Sequence, residues 1–308
     1  MNTRDQIKRT AAVTGAGSGL GRDIALGLAA KGYSVVGTAM SSEEIADLKT
    51  ASNGAVNLRQ CDITSETAVK AWANEVTSQT EGTLDLLISN AGILTPGPLE
   101  VLPLDAIRRE FEVNVFGALA VVNALLPALR KARGRIVQVS TMTAILPIPF
   151  NGPSGASKAA FDAFAAVYRA ELKPFGVDVV LAVAGNMRTG GPAKTAAALK
   201  RVAERMTSEQ RELDGTAFDT FATTLNNTQG RGLDSVAAAN RVIELSEQVP
   251  APSRGAVGRT PKKSFDSSVR SPMPNWMQCA SKWSAWNNKE PASTPASEST
   301  LYVKGELS

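Results

Sequence analysis

Residues Thr10–Gly32 read T-A-A-V-T-G-A-G-S-G-L-G-R-D-I-A-L-G-L-A-A-K-G. The apolar start of this stretch predicts a buried strand, and the spacing of apolar residues after the glycines predicts a helix. A glycine-rich turn between a strand and a helix is typical of a dinucleotide site. Gly15 permits the tight turn, Gly19 lets a pyrophosphate approach the backbone, and Gly21 lets the helix pack closely. A plain glycine turn without a ligand is the alternative interpretation.

The alternation of strand and helix continues along the chain. Short apolar runs predict further strands at Tyr33–Thr38, Ala55–Cys61, Leu84–Ser89, Gly134–Ser140, Val177–Val183 and Gly255–Gly258. Helical periodicity is found at Leu104–Lys131, Ser154–Phe175 and Ser235–Gln248. Strands that alternate with helices predict an α/β fold with a doubly wound parallel sheet of the Rossmann type. We therefore predict a single domain over residues 1–258 and a C-terminal extension over residues 259–308.

The composition excludes several kinds of chemistry. The chain has 308 residues, of which 43% are hydrophobic and 20% charged, as is ordinary for a soluble globular protein. It has no histidine, which excludes Ser-His-Asp and Cys-His catalysis and His-ligated metal sites. The two cysteines, Cys61 and Cys279, lie far apart and form no metal spacing. We see no secretion signal, and the longest apolar run, Ala118–Leu129, is too short to span a membrane, so we expect a cytoplasmic protein without a metal.

The positive charge is confined to one short segment. Residues 1–250 carry 25 basic and 25 acidic side chains, whereas residues 251–270 carry five basic side chains and one acidic one. We therefore expect no nucleic-acid-binding face on the main domain. Trp276 and Trp283 share a helical face after this segment, which favours a short helix packed on its own domain or on a partner subunit. A membrane-surface anchor is the alternative. The Ser, Pro and Ala content of residues 287–308 predicts disorder.

A second stretch, Ser140–Lys158, reads S-T-M-T-A-I-L-P-I-P-F-N-G-P-S-G-A-S-K. It resembles the active-site segment of the short-chain dehydrogenase/reductase family. In that family a Ser is followed thirteen residues later by a Tyr, and the Tyr four residues later by a Lys. These positions hold Thr141, Ser154 and Lys158, so the Tyr is replaced. The order P-I-P-F-N-G-P before the Tyr position resembles the hydroxysteroid and retinol dehydrogenases of the family.

Other motifs of the family follow in the same order over about residues 8–258. The glycine turn has the spacing T-G-x-x-x-G-x-G, N-A-G follows the fourth predicted strand, and Ala184 replaces a usual Pro after the sixth. The resemblance implies catalytic roles for Asn114, Thr141, Ser154 and Lys158. It implies cofactor contacts for Gly15, Ser18, Gly19, Leu20, Gly21, Asp62, Ile63, Asn90, Ala91, Gly92, Lys158, Gly185 and Thr189. It also implies a locally distorted helix around Asn114, a substrate lid at residues 190–233, and a homodimer or homotetramer formed through the helices that hold Asn114 and Lys158.

The residues after the second predicted strand bear on the choice of cofactor. Enzymes specific for NAD usually have an acidic residue there that bonds the ribose hydroxyls. Here the sequence is A-M-S-S, Ala39–Ser42, with no acid before Glu43 and no Arg or Lys for a 2′-phosphate. Because the hydroxyls of Ser41 and Ser42 can bond a phosphate, we predict NADP rather than NAD.

Ser154 decides how much of the family's chemistry to expect. In the family the Tyr donates a proton to the substrate carbonyl, and neighbouring positive charge lowers its pKa from about 10. An aliphatic hydroxyl is a far weaker acid and is shorter by a whole ring. The first hypothesis is a nicotinamide-dependent oxidoreductase, impaired or altered, in which a bound water or the substrate supplies the proton. The second is a lyase, isomerase, cyclase or catalytically silent partner subunit, and the third is a Ser154–Lys158 pair for acyl transfer. We favour the first because the cofactor motifs are nearly complete.

Apolar residues dominate the loops that we expect to line the substrate pocket. They are Ile93, Leu94, Ile145, Leu146, Ile148, Phe150 and Met187. We therefore predict an apolar small-molecule substrate, with sterol-like, retinoid-like, polyketide and terpenoid compounds all compatible. The alternative for part of this set is a place in the core.

Overall fold

A computed structural model describes residues 9–188 and 191–258 of the chain. The described residues fall within one compact unit, Met1–Thr260. The predicted contact of Thr189 and all predictions for residues 259–308, including those for Trp276 and Trp283, lie outside the described residues.

Seven parallel strands form the central sheet and confirm the doubly wound fold. The strands in the described part of the chain are β1 Thr10–Val13, β2 Ser34–Ala39, β3 Val56–Gln60, β4 Leu86–Ser89, β5 Arg135–Thr141, β6 Asp178–Ala184, β7 Met187–Arg188, β8 Leu233–Asp234 and β9 Arg254–Val257. The large sheet has the order β3-β2-β1-β4-β5-β6-β9, and β7 pairs separately with β8. The order reverses between β1 and β4, so a crevice is expected at the carboxyl ends of these two strands. The predicted strand bounds differ from the observed ones by one or two residues.

Helices cover both faces of the sheet. They are α1 Gly19–Ala30, α2 Ser42–Ala51, α3 Glu66–Gln79, α4 Leu104–Phe111, α5 Ala118–Ala132, α6 Gly152–Leu172, α7 Gly191–Arg205, α8 Ser208–Gly230 and α9 Ser235–Glu247. Side chains of α1 and α9 pack on one face, and side chains of α3, α5 and α6 pack on the other. Successive residues of a strand point to opposite faces, so Ala11 and Val13 of β1 belong to one cluster and Ala12 belongs to the other. This double burial is why the strands read as continuous apolar runs.

One long helical element carries the predicted active-site Asn. It runs from Leu104 to Ala132 as α4, a π-helical segment at Glu112–Gly117, and α5. The π-helical segment contains Asn114, which confirms the predicted local distortion of this helix. By length and composition Leu104–Ala132 could cross a membrane, which corrects the expectation drawn from the shorter run Ala118–Leu129. However, 61% of its most apolar window is buried inside the protein, as in the core helix of a globular domain.

Two helices, α7 and α8, lie outside the sheet, within residues 190–233, which the family resemblance implies as a substrate lid. They share a small apolar cluster, against which Phe150 of the loop before α6 packs. The rings of Phe150 and Phe218 meet edge to face with centroids 5.5 Å apart. Helix α8 begins with a capping box formed by Thr207 and Gln210 and ends at Gly230. Their role as a substrate lid stays a prediction.

Candidate active site

The predicted motifs meet at the carboxyl ends of the central strands. The glycine turn follows β1, Asp62 follows β3, Asn90 follows β4, Thr141 ends β5, and Gly185 follows β6. These positions surround the point between β1 and β4 where the strand order reverses. Open α/β sheets bind their ligands at this point.

The glycine turn between β1 and α1 depends on its glycines for shape and for space. Gly15 and Gly19 have φ angles of +64° and +56°, in the left-handed region that favours glycine. A Cβ on Gly21 would lie 2.5 Å from Asn90 Nδ2, so a larger residue would push α1 away from the end of β4. The turn is therefore tight and closely packed, as a backbone cradle for a phosphate needs to be.

The start of α1 offers backbone donors to an anion. Ser18 is the extended N-cap residue, and its side chain makes no capping hydrogen bond. Leu20, in the first turn, is buried. The first N–H groups of a helix have no partner within it and form the positive end of the helix dipole, so this end can hold a pyrophosphate.

Thr14 and Asn90 join the two strand ends beside the turn. Thr14 Oγ1 accepts hydrogen bonds from the backbone N–H groups of Asn90 and Ala91 at 2.9 and 3.0 Å. Asn90 Nδ2 donates in return to Thr14 O at 3.0 Å. These bonds hold the ends of β1 and β4 together where the crevice opens, so Asn90 and Ala91 support the turn that would hold a cofactor. The part played by the Thr14 hydroxyl was not predicted from the sequence.

The sequence prediction also missed an acidic side chain at this turn. Glu44, in the first turn of α2, accepts a hydrogen bond from Met40 N at 3.0 Å, and its Cδ would lie 2.7 Å from a Cβ on Gly17. Its backbone N–H donates to the side chain of Ser41, the N-cap of α2. Ser41 therefore caps a helix, and a carboxylate lies over the turn near which Ser41 and Ser42 were expected to offer hydroxyls.

Asp62 is a fixed carboxylate beyond the end of β3. It accepts hydrogen bonds from Thr64 N at 3.0 Å and from Arg109 Nη2 at 2.9 Å. Burial acts to raise the pKa of Asp62, but the bonds from Thr64 and Arg109 outweigh it and hold that pKa below its ordinary value. The next residue, Ile63, is buried, and its Cγ1 would lie 2.9 Å from a Cβ on Gly117. The pair Asp62–Ile63 is thus anchored against the α4–α5 element.

Asn114 brings three segments of the chain together. Its Oδ1 accepts from Ile93 N at 2.9 Å, and its Nδ2 donates to Ile93 O and to Ser157 Oγ, both at 3.0 Å. A Cβ on Gly92 would lie 3.1 Å from Asn114 Oδ1 and 3.3 Å from Lys158 Nζ. The predicted residues Gly92, Asn114 and Lys158 are therefore neighbours in the fold.

Lys158 is half-buried, and its side chain is directed at β5. Its Nζ donates to Val139 O at 2.9 Å. Burial lowers the pKa of Lys158, and the carboxyl groups of Asp162 and Glu110 act in the opposite direction. Asp162 lies one turn further along α6, accepts from Ser140 Oγ at 2.8 Å, and has its pKa raised by burial. The site therefore holds one ammonium group between two carboxyl groups.

Thr141 and Ser154 lie on either side of the loop that joins β5 to α6. Thr141 ends the strand, and its Oγ1 accepts from Thr143 N at 3.4 Å. Ser154 lies in the first turn of α6, one turn before Lys158, and is buried. Its carbonyl oxygen accepts from Ser157 Oγ at 3.2 Å, which links this turn to Asn114. The hydroxyl groups of Thr141 and Ser154 are thus presented by fixed backbone positions.

A second carboxyl group in the site, that of Glu110, was not predicted from the sequence. Glu110 is fully buried, its Oε2 accepts from Thr95 N at 2.8 Å, and its Oε1 accepts from Asn114 Nδ2 at 3.3 Å. Burial raises the pKa of Glu110 to about 7, against the lowering effects of Thr95, Lys158 and Asn114. No motif marks this residue, because R-R-E-F-E reads as an exposed charged stretch. The available signal was its spacing of four from Asn114, which puts both side chains on one helix face.

The remaining predicted residues divide between the site and the packing around it. Gly185 N donates to Val257 O at 2.7 Å, which ties the segment after β6 to β9. The exposed members of the predicted substrate pocket are Ile93, Ile145, Leu146 and Ile148, at 38–44%, and Leu94 is half-buried. Phe150 packs against α8 and Met187 packs against the core, which fits the alternative that part of the predicted set has a place in the core.

The sequence model of the family described as short chain dehydrogenase matches residues 9–200. The chain belongs to the short chain dehydrogenase family. The match covers the glycine turn, Asn90–Gly92, Asn114 and the stretch from Thr141 to Lys158. The predicted family resemblance is thereby confirmed.

Curated relatives of this short chain dehydrogenase include two reductases. A 3-ketodihydrosphingosine reductase of Bacteroides thetaiotaomicron is 32% identical over 179 residues, which are 58% of this chain and 64% of the relative. An NADPH-dependent 1-acyldihydroxyacetone phosphate reductase of Schizosaccharomyces pombe is 33% identical over 171 residues, 56% of this chain and 57% of the relative. The chain therefore matches less than two thirds of the length of either relative.

A solved structure supports the fold over a larger part of the chain. A short-chain dehydrogenase from Streptomyces avermitilis superposes with a TM-score of 0.68 at 27% identity. The superposition covers 82% of this chain and 89% of that one. The doubly wound sheet described above is thus that of the family.

Proposed function

We propose that this short chain dehydrogenase is an NAD(P)-dependent oxidoreductase that interconverts a carbonyl and an alcohol on an apolar small molecule. The observation that carries the proposal is the convergence of Asn114 and Lys158 on Gly92, beside a glycine turn with the shape of a phosphate cradle. An ammonium group and an amide held next to a dinucleotide cradle are the parts that carbonyl reduction uses.

The residues at the strand ends fit a nicotinamide dinucleotide. The start of α1 would hold the pyrophosphate, Asp62 and Ile63 would face the adenine end, and Asn90–Gly92 with Lys158 would hold the nicotinamide end. When bound, such a cofactor supplies or accepts a hydride. Lys158 then orients the ribose and places positive charge near the reacting oxygen, and the Thr141 hydroxyl donates to that oxygen.

Because Ser154 stands at the Tyr position, the phenol that donates the proton in the family is missing from that position. A serine hydroxyl is a much weaker acid than a phenol of pKa about 10, and it is shorter by a ring. Another group or a water must therefore supply the proton, and we expect slow turnover. The same observation favours a second candidate, a non-redox enzyme or silent partner subunit on the same scaffold. The Ser154–Lys158 acyl-transfer hypothesis has less support, because Lys158 Nζ donates to Val139 O.

The substrate that we propose is a lipid-like ketone or secondary alcohol. Ile145, Leu146 and Ile148 present exposed apolar side chains on the loop that leads from Thr141 to α6. One of the two reductases above is named for a 3-ketodihydrosphingosine and the other for a 1-acyldihydroxyacetone phosphate. An apolar loop next to a hydride-transfer site suits such a molecule, because it buries the chain while the carbonyl reaches Lys158.

The preference for NADP over NAD stays a prediction. One relative is named as NADPH-dependent, and Ser41 and Ser42 follow β2 at the start of α2, where Ser41 caps the helix. The carboxylate of Glu44 over Gly17 opposes this preference, because it repels a 2′-phosphate. Equilibrium titration with NADPH and NADH, followed by quenching of protein fluorescence, decides between them.

Turnover by Ser154→Tyr tests the proposed function. The unmodified protein is expected to bind a dinucleotide and to oxidise its reduced form slowly with a long-chain ketone, and Ser154→Tyr is expected to raise that rate. Ser154→Ala, which adds no phenol, is the matched control. No gain by Ser154→Tyr with dinucleotide binding intact would favour the non-redox candidate. Acylation of Ser154 by an activated ester would favour the acyl-transfer hypothesis.

We also propose a homodimer or homotetramer in the cytoplasm. The helices that hold Asn114 and Lys158 carry exposed apolar side chains, among them those of Phe116, Phe164 and Val167. Phe164 and Val167 are three residues apart on α6 and therefore share a face. Exposed apolar side chains on one face favour contact with a second copy.

A further inference from the structure

Glu110 is an ionisable side chain of the site to which the proposed function assigns no role. It lies at the end of α4, one helical turn before Asn114, and none of its surface is exposed. Carboxyl groups are almost never fully buried unless they are paired, coordinated or protonated. The buried Glu110 carboxyl group must therefore be paired, coordinated or protonated.

Both oxygens of Glu110 are bonded to parts of the site. Oε2 accepts from Thr95 N in the loop after β4, and Oε1 accepts from Asn114 Nδ2. Asn114 Oδ1 and Lys158 Nζ both lie against Gly92. Glu110 is thus connected through Asn114 to the surroundings of the Lys158 ammonium group.

Lys158 links the protonation of Glu110 to that of a second carboxyl group, Asp162. Lys158 on α6 is the cation that faces Glu110. Asp162, one turn beyond Lys158, is the second carboxyl group near it; it accepts from Ser140 of β5 and feels the charge of Arg254 of β9. Burial raises the pKa of Glu110 to about 7 and lowers that of Lys158, so the affinities of the two groups for a proton approach each other.

We propose that Glu110 stores the proton that Lys158 delivers to the substrate oxygen, in a site that has no phenol. The inference rests on the proposed function and names the proton source that it lacks. Glu110 is then a positioning residue that acts through Lys158. A proton donor works best when its pKa lies near the working pH, and a serine hydroxyl does not meet that condition.

The step balances as follows in the direction of reduction. A bound reduced nicotinamide dinucleotide would supply a hydride to the carbonyl carbon, and the electron pair of the C=O π bond would move to oxygen. Lys158 gives a proton to that oxygen and becomes a neutral amine. The Glu110 carboxyl gives its proton to the amine, which leaves a carboxylate beside an ammonium group. Solvent returns one proton to Glu110, so the sum is one carbonyl, one reduced dinucleotide and one proton to one alcohol and one oxidised dinucleotide.

The test is the pH profile of ketone reduction by Glu110→Gln. Gln keeps the shape of the side chain and cannot ionise, and Glu112→Gln, at an exposed position two residues on, is the matched control. In the unmodified protein and the control, kcat should fall as pH rises through about 7, because Glu110 loses the stored proton. In Glu110→Gln this fall should disappear and kcat should be lower by about 10- to 100-fold. KM for the ketone and Kd for the dinucleotide should stay within about threefold.

Loop support by Glu110 alone would give a different result. It would change stability or KM and leave the fall of kcat near pH 7 in place, and that outcome would overturn the inference. If Glu110→Gln fails to fold, infrared titration of the unmodified protein replaces it, with Glu110→Asp to assign the band of the protonated carboxyl. A Glu110 that is already ionised at weakly acidic pH would overturn the inference. Absence of all turnover with a bound dinucleotide would instead overturn the proposed function itself.

Discussion

Replacing Glu110 with Gln should change how the stability of the fold depends on pH, whether or not the protein turns over a substrate. Burial raises the pKa of Glu110 from an ordinary 4.5 to about 7 in the folded protein. The unfolded chain leaves the group at its ordinary value. At about 1.36 kcal/mol for each pH unit between the two values, the difference corresponds to about 3 kcal/mol.

The sign follows from which form of Glu110 the fold favours. A carboxyl group whose pKa is raised by folding is favoured in its protonated form. Its contribution to the free energy of unfolding is fully present below about pH 4.5 and is lost as pH rises through about 7. Gln cannot ionise, so its contribution to the free energy of unfolding does not change over this pH range. Between about pH 4 and about pH 8, the free energy of unfolding of Glu110→Gln relative to the unmodified protein should therefore rise by about 3 kcal/mol.

Urea-induced unfolding followed by circular dichroism measures this difference at each pH. The exposed Glu112→Gln is the control, and its free energy of unfolding relative to the unmodified protein should change by less than about 0.5 kcal/mol. A Glu110→Gln protein whose stability runs parallel to that of the unmodified protein across this range would refute the reasoning. It would mean that Glu110 ionises in the fold as readily as it does in water.

Three further perturbations probe other parts of the molecule. Glu44→Gln removes a negative charge beside the glycine turn, so Kd for NADPH should fall about fivefold and Kd for NADH should change little. Glu43→Gln is the control and should have a smaller effect on both values. Equal effects of Glu44→Gln on both dinucleotides would mean that Glu44 does not lie near the 2′-phosphate. Phe164→Asp on α6 should reduce the oligomer to smaller species in light scattering, and Val236→Asp on α9 should not; an unchanged assembly would place the subunit contact elsewhere. Gly21→Ala puts a methyl group against the end of β4, so it should weaken dinucleotide binding and lower the free energy of unfolding by about 1–3 kcal/mol. Unchanged binding would show that α1 can shift without weakening the dinucleotide site.

The fold was predictable because each strand is buried on both faces. Side chains of β1 and β6 reach both core clusters, so their sequences are apolar runs of strand length between helices of clear periodicity. Strand ends were less predictable, since hydrogen-bond partners on a neighbouring strand set them. Thr141 illustrates this: it extends β5 by one residue because it pairs with Ala184 of β6, which no local signal shows.

The site was predictable only where spacing along the chain reflects contact in space. Gly15, Gly21 and Asn90–Gly92 stand in turns whose shape needs those residues, and Lys158 follows Ser154 by one helical turn. Glu110 and Glu44 were missed for the opposite reason. The sequence around each residue is typical of an exposed charged surface. Only the tertiary fold buries Glu110 and places Glu44 over Gly17.

The replacement of the phenol by Ser154 and the burial of Glu110 both affect the proton affinity of Lys158. An ammonium group as desolvated as that of Lys158 holds its proton only weakly unless negative charge stands near it. A phenol beside Lys158 would gain acidity from that ammonium group, whereas the Ser154 hydroxyl is too weak an acid to ionise in its place. With Ser154 there, the titrating negative charge must come from carboxyl groups, and among the described residues those of Asp162 and Glu110 act on Lys158. Asp162 and Glu110 both accept hydrogen bonds, so these bonds do not separate them. The pKa of Glu110, about 7, lies near the working pH, and Glu110 is therefore the carboxyl group that we propose exchanges a proton with Lys158 during turnover.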